Sequence, residues 1–300
     1  MNSEPDWNLY RSFLAVLEEQ SLSAAARRLG LTQPTLARHI DVLEQAIGAD
    51  LFLRSQRGLS PTGMALDLKP HAETLASVAA ALLRTASGHA GEVRGSVRLS
   101  ASEVMGVEHL PPVLAALRRR HPGLVVELVL SNAVDDLLRR EADIAVRMVE
   151  PSQQALVSRR LLPIELGLHA RRDYLDRRGT PASVEQLAGH DLIGFDRKTP
   201  AIRTLLEGLP VLDRPDFALR ADSDLAQLAA IRAGFGIGMC QVQLARRDPD
   251  LVRVLAEAVG VELGLWIVMH ENHRTSARYR AVFDALADGL NPPPARRLPE

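Results

Sequence analysis

Several polar side chains are spaced so that a single helix would present them together. Thr32 can cap such a helix, and Pro34 suits its first turn, where no backbone N–H is needed. In the major groove of DNA, Gln can bind adenine, Thr can contact a thymine methyl and Arg can bind guanine. Gln33, Thr35 and Arg38 therefore form a candidate base-reading face. A solvated helix face in a small bundle would show the same pattern.

Apolar residues around this face predict the helices that would position it. They recur three and four residues apart and form three amphipathic stripes. Ser21 can cap the second helix and Gly30 can end it, so a short glycine-containing turn joins the second and third helices. This arrangement is typical of a helix-turn-helix. The stripes are Leu9, Phe13, Val16 and Leu17; Ala24, Ala25 and Leu29; and Leu36, Ile40, Leu43 and Ile47.

A hairpin is predicted after the third helix. Residues 51–54 and 59–61 are typical of short strands, and Arg57 lies in the turn between them. A hairpin in this place is a wing, from which Arg54 and Arg57 could contact phosphates or the minor groove. Acidic residues balance the arginines up to Pro61. DNA affinity would therefore depend on a few locally placed arginines rather than on a general positive field.

Residues 64–91 predict a long linker helix followed by a hinge. Their alanines and leucines alternate three and four residues apart, as in a coiled-coil seam. Pro70 should bend this helix or remove one of its backbone hydrogen bonds. A helix packed on its own domain is the alternative, but the regular spacing favours a partner helix and hence a homodimer. The predicted dimer seam comprises Leu68, Ala72, Leu75, Ala79 and Leu82.

After the hinge, strands and helices alternate, which predicts an α/β domain over residues 92–300. The predicted strands are 93–100, 124–130, 143–146, 164–170, 191–195, 218–221, 236–241 and 265–269. The predicted helices are 107–120, 134–140, 171–178, 183–188, 225–233, 243–247 and 276–289.

Polar residues follow several of these strands, where ligands bind in open parallel sheets. Ser102 at a helix start, with free N–H groups beside it, and Arg147 could together hold a carboxylate. In the alternative, Ser102 is only a cap and Arg147 pairs with Glu103 or Glu150. The candidate effector-binding residues are Ser100, Ser102, Glu103, Ser131, Asn132, Arg147, Phe195, Asp196 and Ser223.

Other chemistries find little support. The single cysteine, Cys240, excludes an internal disulfide or a cysteine-rich zinc site and suits a core position. The glycines at 234–238 have the wrong spacing for a dinucleotide loop and indicate a tight helix-to-strand turn. His270 and His273 lack the spacing of zinc ligands. We therefore expect no metal, no cofactor and no enzymatic activity. Without a membrane-length apolar run or a visible secretory signal, we expect a cytoplasmic protein.

The N-terminal segments resemble the LysR family of transcriptional regulators, in order over about 60 residues. Family members often carry a serine in place of Ala37, a glutamine in place of His39 and a basic residue in place of Asp41, so an operator sequence does not transfer. The resembling segments are 13–16, 21–29, 32–40, Leu43-Glu44, Gly48, 51–54, Arg57-Gly58 and Thr62-Gly63; further on, 143–147 and 233–238 also look like family segments.

This resemblance implies an all-α winged helix-turn-helix at 1–63, a linker helix and hinge at 64–91, and a two-lobed α/β effector domain like that of periplasmic binding proteins. Lobe I would span 92–162 and 266–290 and lobe II 163–265, with crossovers near 161–163 and 264–267. The implied DNA-binding residues are Ser23, Thr32, Gln33, Pro34, Thr35, Arg38, His39, Arg54 and Arg57.

We therefore predict a regulator that binds double-stranded DNA as a homodimer or homotetramer and responds to an anionic small-molecule effector between the lobes. Two alternatives stay open. The chain could be a small-molecule-binding protein or enzyme whose N-terminal helices serve assembly only. It could also be a regulator that has no effector.

Overall fold

A computed structural model describes residues 5–55, 58–86, 93–132, 142–148, 150, 156–197, 199, 202–203 and 217–291, without the side chains of residues 54, 55, 58 and 85. The chain divides into two compact units, one up to Ala86 and one beyond it. The predicted helix at 134–140 lies outside the described residues.

The N-terminal unit is a winged helix-turn-helix, as predicted. Its elements are α1 (Trp7–Glu19), α2 (Leu22–Leu29), α3 (Gln33–Ile47), the antiparallel strands β1 (Phe52–Ser55) and β2 (Gly58–Pro61), and the linker helix α4 (Gly63–Ala86). Local chemistry sets the helix ends. The side chains of Ser21 and Thr32 accept the capping hydrogen bonds of α2 and α3. Gly30 and Gly48 end these helices with φ of 68° and 78°, which glycine adopts without strain.

The linker helix divides its apolar residues between two environments. It continues through Pro70, and Thr74 Oγ1 donates a hydrogen bond to the Pro70 carbonyl at 2.8 Å. Ala72 is only 3% exposed and packs with half-buried Leu68 in the core of its own unit. Leu75 and Leu82 are 47% and 68% exposed. The first part of the predicted seam therefore covers its own domain, because it follows directly on the wing, and only the second part is open to a partner.

The elements of the C-terminal unit are β3 (Gly95–Ala101), α5 (Leu110–Arg120), β4 (Leu124–Leu130), β5 (Ile144–Arg147), β6 (Leu156–Arg171), α6 (Arg172–Arg178), β7 (Ile193–Gly194), β8 (Leu219–Arg220), α7 (Asp224–Arg232), β9 (Gly238–Gln241), α8 (Val242–Ala245), β10 (Leu251–Arg253), β11 (Val261–His270) and α9 (Ala277–Gly289). Seven of the strands form a mixed sheet in the order β10-β6-β11-β5-β3-β4, with β9 also paired to β6. Strands β3, β4 and β5 are parallel, and β6 and β11 are antiparallel to each other.

Two predicted elements differ from the structure. The strand expected at 164–170 is the second half of β6, which is 16 residues long. The helix expected at 183–188 is a 3₁₀ turn at Glu185–Gly189. In addition, a π-helical turn, Met105–His109, precedes α5. The predicted tight turn before β9 is confirmed: Gly234 has φ of 73°, and a Cβ on Gly236 would lie 2.0 Å from the Asp191 carbonyl oxygen.

Strands β6 and β11 give the unit its two lobes. The first half of β6 pairs with β11 beside β5, whereas its second half pairs with β9 and β10. Their mutual register shifts between Leu263 and Leu265. At Gly264 a Cβ would lie 1.9 Å from Cη2 of Trp266, so the tryptophan ring requires a glycine there. Separate apolar cores lie on the two sides of this irregularity, one around Leu99 and Leu286 and others around Leu168 and Ile231.

Candidate DNA-contacting surface and effector cavity

The start of α3 presents a polar, solvent-exposed surface. Thr32, Gln33, Pro34, Thr35 and Arg38 are all exposed. Thr32 Oγ1 accepts a hydrogen bond from the Thr35 amide at 3.3 Å and lies 2.8 Å from Thr35 Oγ1. Arg38 has no hydrogen-bond or ion-pair partner among the residues that the structure describes. Its guanidinium is therefore available to a ligand outside the chain.

Two other predicted contacts help to hold the motif together. Ser23 Oγ donates to Gln33 Oε1 at 3.0 Å and so links α2 to α3. His39 is half-buried, and its Nδ1 lies 2.7 Å from Oγ of buried Ser12 on α1. His39 is therefore anchored inside its own domain. The side chain of Arg54, and Arg57 as a whole, lie outside the described residues.

Glu44 is a positioning residue to which the sequence reasoning gave no role. Its Oε1 accepts hydrogen bonds from the backbone amides of Leu51 at 2.7 Å and Phe52 at 3.2 Å. One carboxylate of α3 thus fixes the first strand of the wing. Its place in the Leu43-Glu44 segment of the family resemblance was the signal that could have identified it.

A cavity of about 550 Å³ lies in the C-terminal unit, beyond the carboxyl ends of β3, β4 and β5 and the start of α7. Five predicted effector-binding residues line it: Ser102, Ser131, Asn132, Arg147 and Phe195. The other lining residues are Val104, Met148, Leu166, Arg197, Thr199, Ile202, Asp222, Asp224, Gln227, Leu228, Met239, Cys240, Gln241, Leu244 and Leu263. The remaining four predicted residues, Ser100, Glu103, Asp196 and Ser223, are not among the lining residues.

Arg147 is oriented by a hydrogen bond to Ser100, one of these four residues. It is 6% exposed, and its Nη2 donates to Ser100 Oγ at 2.6 Å while Nη1 donates to the Val146 carbonyl at 3.1 Å. Ser100 itself is buried. A buried guanidinium with its orientation fixed by hydrogen bonds is a preorganised anion-binding group.

Ser102 and the adjacent helix start differ from the expectation. Ser102 Oγ is buried and has no hydrogen-bond partner among the described residues, so it does not act as a cap. The amide of Glu103 donates to Asn132 Oδ1 at 3.2 Å. That N–H is therefore not available to a ligand, because the end of β4 already satisfies it. Ser102 lines the cavity, and its hydroxyl is left without a partner among the described residues.

Two polar contacts join the lobes beside this helix start. Ser223 Oγ donates to Glu103 Oε2 at 2.8 Å, and Asn132 Nδ2 donates to Asp224 Oδ2 at 3.1 Å. Burial raises the pKa of Asp224 above its ordinary value, and the nearby Glu103 carboxylate adds to this effect. Glu103 and Ser223 are therefore hydrogen-bonded to each other, and their predicted contact with an effector stays a prediction.

A second group of contacts joins the lobes at the π-helical turn. Arg232 forms two hydrogen bonds with the Glu108 carboxylate, at 2.6 and 3.1 Å, and they lower the pKa of Glu108. His109 Nε2 lies 2.7 Å from Gln241 Oε1, and burial lowers the pKa of His109. Arg247 Nη1 donates to the Glu108 carbonyl at 2.9 Å. Sequence reasoning missed this group because its partners lie more than a hundred residues apart.

Cys240 also lines the cavity. It is a free, buried cysteine, and burial raises its pKa to about 11. Within the described ranges, no cluster of His, Cys, Asp and Glu could hold a metal ion. Across those same ranges, no helix is both long and apolar enough to cross a membrane.

Comparisons with known proteins identify both units. Residues 7–65 match the lysR family of bacterial regulatory helix-turn-helix proteins, and residues 90–291 match the LysR substrate binding domain. The chain therefore belongs to the LysR family of DNA-binding transcriptional regulators.

Curated relatives that are named as transcriptional regulators match the chain over nearly their whole length. The chain is 27% identical to LtrA of Klebsiella pneumoniae, over 96% of this chain and 95% of that one. It is 32% identical to CrgA of Neisseria meningitidis serogroup B, over 93% and 95%. A Mycobacterium avium protein named as a hydrogen peroxide-inducible genes activator is 35% identical over 83% and 92%.

Solved structures agree on the fold. The structure of CrgA from Neisseria meningitidis matches with a TM-score of 0.58 and 25% identity, over 95% of this chain and 100% of that one. Full-length CbnR in complex with its target DNA matches with a TM-score of 0.66 and 19% identity, over 93% and 98%. The likeness to CbnR supports the fold alone.

Proposed function

We propose that this LysR-family regulator is controlled by a small anionic molecule with an apolar body, bound in the cavity between the two lobes. The observation that carries the proposal is the buried Arg147 guanidinium at the cavity wall, oriented by Ser100. A guanidinium that hydrogen bonds hold in a fixed orientation at a cavity wall offers charged donors to an anion. Ser102 lines the same wall, and its hydroxyl has no hydrogen-bond partner among the described residues.

The size and lining of the cavity support an effector that is more than a simple inorganic anion. A volume of about 550 Å³ lies within the usual range for small-molecule sites. Phe195, Met239 and Leu244 are among several apolar side chains that line it. Such a lining favours a carboxylic acid with an aliphatic or aromatic body, since burying that body contributes most of the binding energy.

The N-terminal residues define the second half of the proposal. We assign base reading to the start of α3, with Arg38 as its cationic group, and dimerisation to the second part of α4. We place the DNA-binding domain at 1–63, the linker at 64–91 and the effector domain at 92–300. A dimer with two such helices would read an inverted repeat, and a tetramer would read two pairs of half-sites. We propose no catalytic reaction.

A thermal-shift comparison of matched ligands tests the effector assignment. Hydrocinnamate and its neutral amide have almost the same shape, and the full-length chain should be stabilised by the acid but not by the amide. Arg147→Gln should remove the difference, whereas Arg197→Gln should keep it, because Arg197 is 82% exposed and pairs with Asp222. Equal shifts by acid and amide in the wild-type chain would contradict the proposal.

The DNA footprint tests whether the effector matters for regulation. Saturating amounts of an acid that stabilises the chain should change the footprint or the bend angle, because binding between lobes favours one lobe arrangement over another. An unchanged footprint and bend would instead support a regulator without an effector.

A further inference from the structure

The second lobe contributes a carboxylate to the cavity wall. Asp224 is the first residue of α7 and lines the cavity. Its Oδ2 accepts a hydrogen bond from Asn132 Nδ2 at 3.1 Å. Within the part of the chain that the structure describes, no contact is assigned to Oδ1, and no arginine pairs with this carboxylate.

The surroundings of Asp224 oppose its negative charge. Asp224 is half-buried, which raises its pKa, and the nearby carboxylate of Glu103 raises it further. Glu103 is held in place by the hydroxyl of Ser223. Two neighbouring carboxylates in a partly desolvated site are unfavourable unless a cation or a shared proton compensates them. A cationic group in the cavity would provide that compensation.

Charged groups thus enter the cavity from both lobes. Lobe I supplies Arg147, and lobe II supplies Asp224. The other charged lining residues, Arg197 and Asp222, form an ion pair with each other at 3.3 Å. A ligand that carried only an anionic group would leave the Asp224 carboxylate without a counter-charge.

We propose that Asp224 is a specificity-determining residue that receives an amino group of the effector, so that the effector is a zwitterionic amino acid with an apolar body. This inference rests on the proposed function, since Arg147 receives the anionic group. An ammonium group donates charge-assisted hydrogen bonds to Oδ1 and neutralises the charge of the half-buried carboxylate at the same time. A hydroxyl group would donate one hydrogen bond and leave the charge in place.

Asp224 also has a simpler structural role. An acidic residue in the first turn of a helix is favoured by the helix dipole, and the hydrogen bond with Asn132 joins the lobes. The amide of an Asp224→Asn variant keeps the shape and can still accept this hydrogen bond. The substitution therefore separates a structural role, which it preserves, from recognition of a cation, which it removes.

Calorimetric titration of the full-length chain with three matched pairs tests the inference. The pairs are leucine with isocaproate, phenylalanine with hydrocinnamate, and ε-aminocaproate with caproate, and each pair differs only in the amino group. For at least one pair the wild-type chain should bind the amino acid roughly tenfold more tightly than its partner or better. Asp224→Asn should reduce this ratio to about one and leave the affinity for the simple acid undiminished.

The outcomes separate this inference from the proposed function. Equal binding within every pair, or an amino-acid preference that survives in Asp224→Asn, would overturn the role of Asp224 while leaving the anionic effector intact. Binding of simple acids that survives in Arg147→Gln would overturn the proposed function and not the role of Asp224. Equal binding of phenylalanine and phenyllactate would also overturn the requirement for an ammonium group. Failure of all three amino acids to bind the wild-type chain would overturn the zwitterionic effector.

Discussion

At the scale of single residues, substitution of Arg38 tests the proposed DNA-binding surface. Its exposed guanidinium has no partner in the described structure, whereas exposed Arg28 on α2 is paired with Glu18 and Glu19. Both arginines have the same charge, so general attraction to DNA should be similar. Only Arg38 lies on the proposed base-reading face.

Arg38→Ala should weaken binding to a specific operator by about 1–3 kcal/mol and relax base preference at one position. Arg28→Ala should cost less, because Arg28 lies outside the proposed base-reading face. Fluorescence anisotropy with operator and scrambled duplexes measures both effects at one salt concentration. Unchanged operator binding by Arg38→Ala would support the alternative in which the N-terminal helices serve assembly only.

Cys240 should be a poor redox or alkylation target. With a pKa of about 11, roughly one thiol in a thousand is a thiolate at pH 8, and the thiolate is the reactive form. Native protein should therefore react with a thiol-specific disulfide reagent more than roughly a hundredfold more slowly than urea-unfolded protein. Equal rates would mean that the thiol is open and ionised.

At the scale of elements, the exposed part of α4 is the candidate dimer contact. Leu82 is 68% exposed, and Leu66, on the same helix, is 55% exposed. Leu66 lies about two and a half turns before Leu75, so it faces the opposite side. Leu82→Glu should raise the dimer dissociation constant by roughly tenfold or more, because it places a charge in an apolar seam. Leu66→Glu should leave it unchanged.

Sedimentation velocity across a concentration series measures both variants, with circular dichroism as a check on the helix. A Leu82→Glu chain that remained as dimeric as the Leu66→Glu control would place the dimer contact elsewhere.

The elements that were predicted well are those specified by neighbouring residues. The helix-turn-helix depends on caps at Ser21 and Thr32 and on left-handed glycines, all within a few positions of the helices they bound. The first half of β6 was missed because Pro163 and the exposed Arg159 and Arg160 interrupt its apolar pattern, and proline argues against an interior strand. Its pairing with β11, distant in sequence, overrides that local signal.

At the scale of the whole molecule, the effector domain depends on contacts between distant segments. The strand ends that line the cavity could be predicted from the order of strands and helices. The partners across the lobes could not, because nothing near Glu108 in the sequence identifies Arg232, 124 positions away, as its ion pair. The same holds for His109 and Gln241.

His109 makes the stability of this domain dependent on pH. Burial lowers its pKa below the ordinary value of about 6.5, so the folded chain binds this proton less readily than the unfolded chain. The stability from the neutral ring is fully present above about pH 6.5 and is lost as pH falls toward the lowered pKa. The free energy of unfolding should therefore decrease as the pH is lowered from 7.5 to 5.5.

Urea unfolding of the wild-type chain and of His109→Gln at both pH values measures the contribution of this residue. The glutamine can still donate to Gln241 but does not titrate. The free energy of unfolding of His109→Gln should therefore fall less with pH than that of the wild-type chain, by at most about 1.4 kcal/mol per pH unit. His169, whose pKa burial also lowers, is present in both chains and cancels in the comparison. Parallel pH profiles would contradict the role of His109.

The late position of β11 and α9 in the sequence also constrains how the chain can be synthesised. The apolar core around Leu99 includes Ile267 on β11 and Leu286 on α9, so it needs both the first and the last segments of the C-terminal unit. During translation these late segments leave the ribosome after every residue of the intervening lobe, at about 5–20 residues per second. The parallel strands β3, β4 and β5 therefore keep an apolar face uncovered until the intervening lobe, β11 and α9 have been synthesised. A nascent chain stalled before β11 should consequently be a chaperone client, even though most of the protein has already been made.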